Sequence, residues 1–170
     1  LEFCLSKVDP NGNSSIGITR KASSRTSWGT NDAMKNSSQG GVDPWDTSQY
    51  LNIWVCNIGG GILGYAQFPG GSAATDGVVN SPQYFGRTGT ATAPFNLGRT
   101  ATHEVGHFLN LRHIWGDGGC GIDDFVSDTP ESDASNGGCA TTHVSCGSLD
   151  MVQNYMDYSN DSCMNLFTQG

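Results

Sequence analysis

The chain has 170 residues, including 24 glycines, and a formal net charge of -8 with a pI near 4.6. This length is enough for one domain with a hydrophobic core. The excess of acidic groups argues against nucleic acids and anionic membranes as partners, because like charges repel. No apolar run approaches the roughly 20 residues that a membrane-spanning helix needs.

The first part of the chain predicts short strands separated by loops. β-Branched and aromatic residues are concentrated in residues 1–6, 50–56, 62–68 and 76–79, as is typical of strands. The chain opens directly on the first of these without a signal peptide, so we expect it to begin within a mature secreted protein.

A helix over residues 97–110, capped by Asn96, is predicted next. His103 and His107 are four residues apart, so they lie on one face of this helix and can bind a single ion. Glu104 is adjacent to that face. It can reach a water on the metal without becoming a ligand.

A third histidine follows after a turn. His113 lies six residues beyond His107, so the chain must leave the helix and turn back to bring it to the same ion. Asn110 is expected in a left-handed conformation, for which glycine is the usual residue and asparagine the next best. Three protein ligands leave a fourth position for water, which distinguishes catalytic from structural zinc.

An acidic loop covers residues 117–133. Its carboxylates repel one another unless a cation neutralises them, and calcium accepts six to eight oxygen ligands in such loops. Composition alone favours a calcium site and a solvated acidic loop equally. The acidic residues are Asp117, Asp123, Asp124, Asp128, Glu131 and Asp133.

Six cysteines in this context predict disulfides, with fifteen possible pairings. Cys4 and Cys56 lie in strand-like runs and either pair or remain buried thiols. An alternative places Cys139, His143 and Cys146 in a structural zinc site, but the sequence offers no convincing fourth ligand.

The extended histidine motif and a downstream methionine resemble the metzincin metalloproteases. Met156, in the segment Asn-Tyr-Met-Asp-Tyr, lies 43 residues beyond His113 and matches the methionine turn of that group. Ile114 differs from the residue that follows the third histidine in astacins, adamalysins and serralysins. Residues 50–55, 64–69, 76–79 and 128–130 resemble the pappalysin family, in particular its small ulilysin-type bacterial and archaeal members. Asn110, where the family has glycine, is the one departure within the zinc motif.

The resemblance implies an α+β fold with two lobes in a single catalytic domain, residues 1–170, truncated on its N-terminal side. The upper lobe, about residues 1–113, is expected to contain a twisted, mostly parallel sheet and the zinc helix. The lower lobe, about residues 114–170, is expected to be irregular and braced by disulfides. An edge strand at residues 62–66 is expected to pair with the substrate backbone.

The resemblance also implies roles for single residues. Glu104 is the general base. Met156 packs as a hydrophobic support beneath the zinc histidines. Tyr158 turns toward the reaction intermediate, or simply packs against the methionine turn. Asp161 lies at the base of the pocket that receives Arg or Lys after the cleaved bond, or is a surface residue.

Two disulfides and a calcium site follow from the same resemblance. The implied bridges are Cys120–Cys146 and Cys139–Cys163. The candidate calcium ligands are Asp124, Asp128 and Thr129.

Together these features predict a secreted, monomeric zinc endopeptidase that acts on proteins or peptides and cleaves before Arg, then Lys. The alternative is a non-catalytic extracellular module that binds zinc and calcium. Such a module has no reason to retain Glu104. A zinc hydrolase of non-peptide substrates also fits the helix, but the third histidine and the methionine turn favour peptides.

Overall fold

Three short strands form the central sheet of the computed structural model, which describes residues 1–170. The strands are β1 (Ile53–Val55), β2 (Gly64–Ala66) and β3 (Val78–Asn80), in the order β1-β3-β2. β1 pairs with β3 in parallel and β2 pairs with β3 antiparallel. The α+β class is as predicted, although the sheet is mixed, with one pairing of each kind. β3 is buried, and β2 lies at an edge.

The two faces of the sheet pack against different parts of the chain. Val79 belongs to a core cluster with Trp28, Ala33, Met34 and Ile58. Since side chains alternate along a strand, the other two residues of β3, Val78 and Asn80, face the opposite side. That side is covered by the single α-helix, which contacts both β2 and β3.

The helix α1 covers Arg99–Phe108. The predicted cap at Asn96 is wrong: Gly98 holds the cap position with φ 82° and no side-chain cap bond. The first-turn amides bind a distant residue instead, because Oδ2 of Asp161 accepts hydrogen bonds from the nitrogens of Leu97 and Arg99. After the helix, Asn110 has φ 78°, in the left-handed region.

Residues 114–170 have little regular structure. Their only strands are β4 (Val144–Ser145) and β5 (Ser148–Leu149), which pair antiparallel. Two interlaced disulfides, Cys120–Cys146 and Cys139–Cys163, connect loops that hold few apolar side chains. Cross-links of this kind stabilise a region that packing alone cannot hold. They also exclude the zinc site at Cys139, His143 and Cys146, since both cysteines are bonded elsewhere.

The predicted strand at residues 1–6 does not form. Leu1, Phe3 and Leu5 are exposed, and no strand of the sheet pairs with this segment. Cys4 and Cys56 therefore stay apart as free thiols, the first exposed and the second half-buried against the core. Strand propensity alone did not suffice here, because a strand needs a partner to satisfy its backbone. No helix of the structure has the length and apolarity to cross a membrane.

Candidate active site and metal centre

The three predicted histidines converge on one point. Their candidate ligand nitrogens all lie within 4.8 Å of one another. The rings of His103 and His107 have centroids 4.6 Å apart, and Nε2 of His107 lies 3.1 Å from Nε2 of His113. The helix supplies the first two rings, and the turn at Asn110 returns the third.

Hydrogen bonds fix the orientation of each ring. In every case Nδ1 faces an oxygen that only accepts, so Nδ1 carries the proton and Nε2 keeps its lone pair. The acceptors are the Tyr155 carbonyl for His103 (2.7 Å), the Leu111 carbonyl for His107 (2.8 Å) and Oδ1 of Asp117 for His113 (2.6 Å). Such partners orient metal-ligating imidazoles and raise their basicity.

This donor set fits a zinc ion. Two lone pairs that face each other across 3.1 Å repel unless a cation lies between them. Burial, with a smaller contribution from His107, lowers the pKa of His103 to about 3, so its ring is neutral as a metal ligand must be. No cysteine or carboxylate joins the three imidazoles, which matches the open ligand set of a catalytic site.

Glu104 lies beside the histidines and is deeply buried, with 5% of its surface exposed. Burial raises the pKa of Glu104 to about 8. A divalent cation on the imidazoles would favour its ionised form. Its Cγ lies 3.0 Å from the point where Gly64 would carry a Cβ, so the absence of a side chain on β2 gives the carboxyl its space.

Met156 packs directly against the zinc helix. Its sulfur occupies the space that a Cβ on Gly106 would need, and the methionine is 3% exposed. Gly106 lies between the two helical histidines in sequence. The thioether thus supports the helix where it carries the two candidate ligands. Ile114, the residue after the third histidine, donates its N–H to the Met156 carbonyl at 3.3 Å.

Tyr158 stands at the rim of the site and is half exposed. Its ring centroid lies 4.9 Å from that of His113 and 5.7 Å from that of His103. Burial, then the charges of Glu104 and Asp117, raises the pKa of the Tyr158 hydroxyl, which keeps it protonated.

The sequence interpretation missed three contributors to the site. Trp115 stacks on His113 with centroids 4.2 Å apart and planes 4° apart. Asp117, counted among the acidic loop residues, binds His113 instead. Phe68 lies 5.1 Å from the ring of His107. The spacing of four residues between His113 and Asp117 could have predicted their hydrogen bond from the sequence. The contact between Phe68 and His107 could not be predicted, because it depends on the fold.

Asp161 lies at the start of the zinc helix rather than at the histidines. Its Oδ2 is 2.7 Å from the nitrogen of Leu97 and 3.2 Å from that of Arg99, and the residue is 2% exposed. Both bonds use Oδ2, so Oδ1 remains available to a ligand.

The acidic loop does not gather its carboxylates at one point. Asp124 is buried, and burial raises its pKa. Asp128 is exposed and accepts hydrogen bonds from the nitrogens of Gln169 and Gly170. The hydroxyl of Ser132 is buried without a partner, and that of Thr129 is buried beside Asp124, whose pKa it helps to lower against the larger effect of burial. A separate group does converge, namely Asp133, His143 and Asp150.

Solved structures resemble this chain closely. Mature mirolysin from Tannerella forsythia, in complex with a cleaved peptide, superposes with a TM-score of 0.95 at 49% identity over 99% of this chain. Mirolysin in complex with a small compound gives a TM-score of 0.94 at 50% identity. The chain covers 66% of each of those chains.

Proteins of similar sequence are also metalloproteases. The extracellular metalloprotease 1 of Coccidioides posadasii is 45% identical over 129 residues, and the extracellular metalloprotease of Arthroderma otae is 41% identical over 132. These matches cover 71% and 73% of this chain but 46% and 48% of the relatives, so the chain spans about half their length. The family model described as pregnancy-associated plasma protein-A matches residues 35–170. The chain therefore belongs to that peptidase family, the pappalysins.

Proposed function

We propose that this chain is the catalytic part of a secreted zinc endopeptidase. The observation that carries the proposal is the convergence of three Nε2 lone pairs beside a buried Glu104. A module that only bound zinc would gain nothing from that carboxyl, whose burial is unfavourable to its charge. Two disulfides suit an oxidising, extracellular setting, and the fungal relatives are named extracellular.

The chemistry divides between the metal and the chain. Zinc held by His103, His107 and His113 would acidify a water and polarise the scissile carbonyl. Glu104 takes the proton of that water as general base and then passes it to the leaving amine as general acid. Desolvation of Glu104 suits this double role, since its pKa lies closer to neutrality than that of an ordinary carboxyl.

Tyr158 supplies a hydroxyl donor for the developing oxyanion. Its raised pKa keeps the proton on the phenol, and its half-exposed position beside His113 gives it room to turn toward the substrate.

The substrate backbone adds to the edge of the sheet. β2 (Gly64–Ala66) pairs with β3 on one side only, so its other side offers unpaired backbone groups. Gly64 borders Glu104 and Phe68 borders His107, so this edge follows the zinc helix past the catalytic groups.

Asp161 gives the enzyme its preference for Arg, then Lys, after the cleaved bond. Its free Oδ1 is the acceptor for a guanidinium or ammonium group, and burial of the residue strengthens that interaction.

Calcium binds the loop that contains Asp124, Asp128 and Thr129. The Thr129 hydroxyl is buried beside Asp124, and burial raises the pKa of Asp124, so both groups are consistent with oxygen ligands that a cation would satisfy. Asp128 uses Oδ2 to accept the N–H groups of Gln169 and Gly170, so its Oδ1 remains available to the cation.

Hydrolysis of casein and of Arg-containing peptides tests the proposal. The protein should lose activity with a chelator and regain it on addition of zinc, while cleavage maps show Arg after the cut. A zinc-loaded protein that binds but never cleaves peptides would favour the non-catalytic module instead.

A further inference from the structure

Asn80, the last residue of β3, is completely buried at 0% exposure. Neither its Oδ1 nor its Nδ2 atom forms a hydrogen bond within the chain. A buried amide with both ends unpaired is costly, and native structures rarely tolerate one without a reason. Val78, which faces the same side of the sheet as Asn80, is completely buried and apolar, so an apolar residue would also fit position 80.

The amide lies in the same space as the side chain of Glu104. Asn80 faces Gly64 across the antiparallel pairing of β2 and β3. A Cβ placed on Gly64 would be 2.5 Å from Nδ2 of Asn80 and 3.0 Å from Cγ of Glu104. The amide nitrogen and the Glu104 side chain therefore border the same small gap above Gly64.

Other polar groups around the site are already engaged. The Nδ1 atoms of His103 and His107 donate to the carbonyls of Tyr155 and Leu111. The carboxyl group of Glu104, by contrast, accepts no hydrogen bond from the chain, although an ionised carboxylate is the strongest acceptor that an amide N–H can meet. A buried donor without a partner thus borders the side chain of a carboxyl group that accepts no hydrogen bond from the chain.

We propose that Asn80 is a positioning residue for Glu104. Nδ2 of Asn80 donates a hydrogen bond to one oxygen of the Glu104 carboxylate and leaves the other oxygen facing the water. The bond fixes the orientation of the general base and contributes nothing to substrate binding. This inference rests on the proposed function, and it adds a residue that the zinc motif does not contain.

Kinetics and stability of the zinc-loaded protein separate this role from simple packing. In Asn80→Leu, kcat should fall about tenfold, the rate equivalent of one lost hydrogen bond, with unchanged KM and zinc content. Its Tm should fall by less than that of a variant that breaks two buried hydrogen bonds, because only the one bond to Glu104 is lost. Asn80→Asp keeps the shape but repels Glu104, so kcat should fall further.

A matched control is Asn136, a buried amide whose Nδ2 donates to Asp150 and Asp157 at 3.0 Å. Asn136→Leu breaks two such bonds and should lower Tm more than Asn80→Leu does. An unchanged kcat in Asn80→Leu, or a fall in Tm like that of Asn136→Leu, would overturn the proposal.

A thermal-unfolding cycle tests the contact without any catalysis. Wild type, Asn80→Leu, Glu104→Leu and the double variant should give non-additive shifts in Tm when zinc is bound. Additive shifts contradict a contact between the two side chains. A wild type that lacks peptidase activity but shows this coupling would refute the proposed function alone, and an active wild type with additive shifts would refute only the role of Asn80.

Discussion

Asp161 caps the zinc helix from 64 residues away, with its Oδ2 2.7 Å from the backbone nitrogen of Leu97. The same oxygen also accepts the N–H of Arg99, the first residue of α1. A carboxylate at a helix N-terminus satisfies unpaired amides and complements the helix dipole. One side chain therefore joins residues 114–170 to the helix that carries the candidate ligands His103 and His107, and we also propose it for substrate selection.

Two variants of Asp161 separate these roles. Asp161→Asn keeps an oxygen acceptor for the helix but loses the charge, so it should fold normally and lose its preference for Arg and Lys. Asp161→Ala also loses the cap and should be less stable by about 1 kcal/mol or more. Cut-site maps of a peptide library and thermal unfolding provide the two readouts. An undiminished Arg preference in Asp161→Asn would show that selection lies elsewhere.

Gly106 should tolerate no side chain. In Gly106→Ala the new methyl would collide with the sulfur of Met156, and overpacking of this kind costs about 1–3 kcal/mol. Denaturant unfolding measures the loss. Gly137→Ala is the matched control, since a Cβ at Gly137 meets nothing within 4 Å. Equal stabilities of the two variants would contradict the packing of Met156 beneath the helix.

Asp117 should tune metal affinity through His113. Asp117→Asn keeps a residue suited to φ 61° but removes the charge that faces Nδ1, so zinc affinity should fall roughly tenfold or more. Competition with a chromophoric chelator measures this change. Asp123→Asn, in the same loop but bonded only to the Phe125 nitrogen, should bind zinc like the wild type. If both variants bind zinc equally, the bond to His113 is irrelevant to the metal.

Stability should depend on pH through His143 and Asp150, whose Nδ1 and Oδ2 atoms are 2.9 Å apart. The hydrogen bond to Asp150, with further help from Asp133 and Asp157, raises the pKa of His143 above 6.5. Although burial opposes it, hydrogen bonds from Ser145, Asn136 and His143 hold the pKa of Asp150 below 3.8.

Each pKa shift sets the pH range in which its group stabilises the fold. The stabilisation from His143 is fully present below pH 6.5 and is lost as the pH rises through the raised pKa of His143. The stabilisation from Asp150 is lost only in acid, as the pH falls through its lowered pKa. The difference in Tm between wild type and His143→Gln should therefore be largest at about pH 5.5 and small at about pH 9. A difference that is independent of pH over this range would exclude an ionic contribution from the pair.

The features that the sequence predicts correctly depend on residues close together in the chain. Residues four apart on a helix, and an asparagine at a left-handed turn, are properties of short segments, so the positions of His103, His107 and His113 follow from the chain alone. The strands at β1, β2 and β3 were also located, though each is shorter than predicted.

The features that the sequence does not predict depend on contacts between residues far apart in the chain. The cap on α1 comes from Asp161 and not from Asn96, because the turn at Gly98 presents the first amides to a residue far along the chain. Likewise, the segment at residues 1–6 has strand composition but no neighbour with which to pair. The orphaned amide of Asn80 depends on the register of β2 against β3, which no local pattern reveals.

The most direct test of the whole account is a comparison of wild type with Glu104→Gln, in which metal content and peptide hydrolysis are measured on the same samples. We predict one zinc per chain in both proteins, with hydrolysis in the wild type and none in the variant. Undiminished hydrolysis by the zinc-loaded variant, or a folded wild type that binds no zinc, would contradict it.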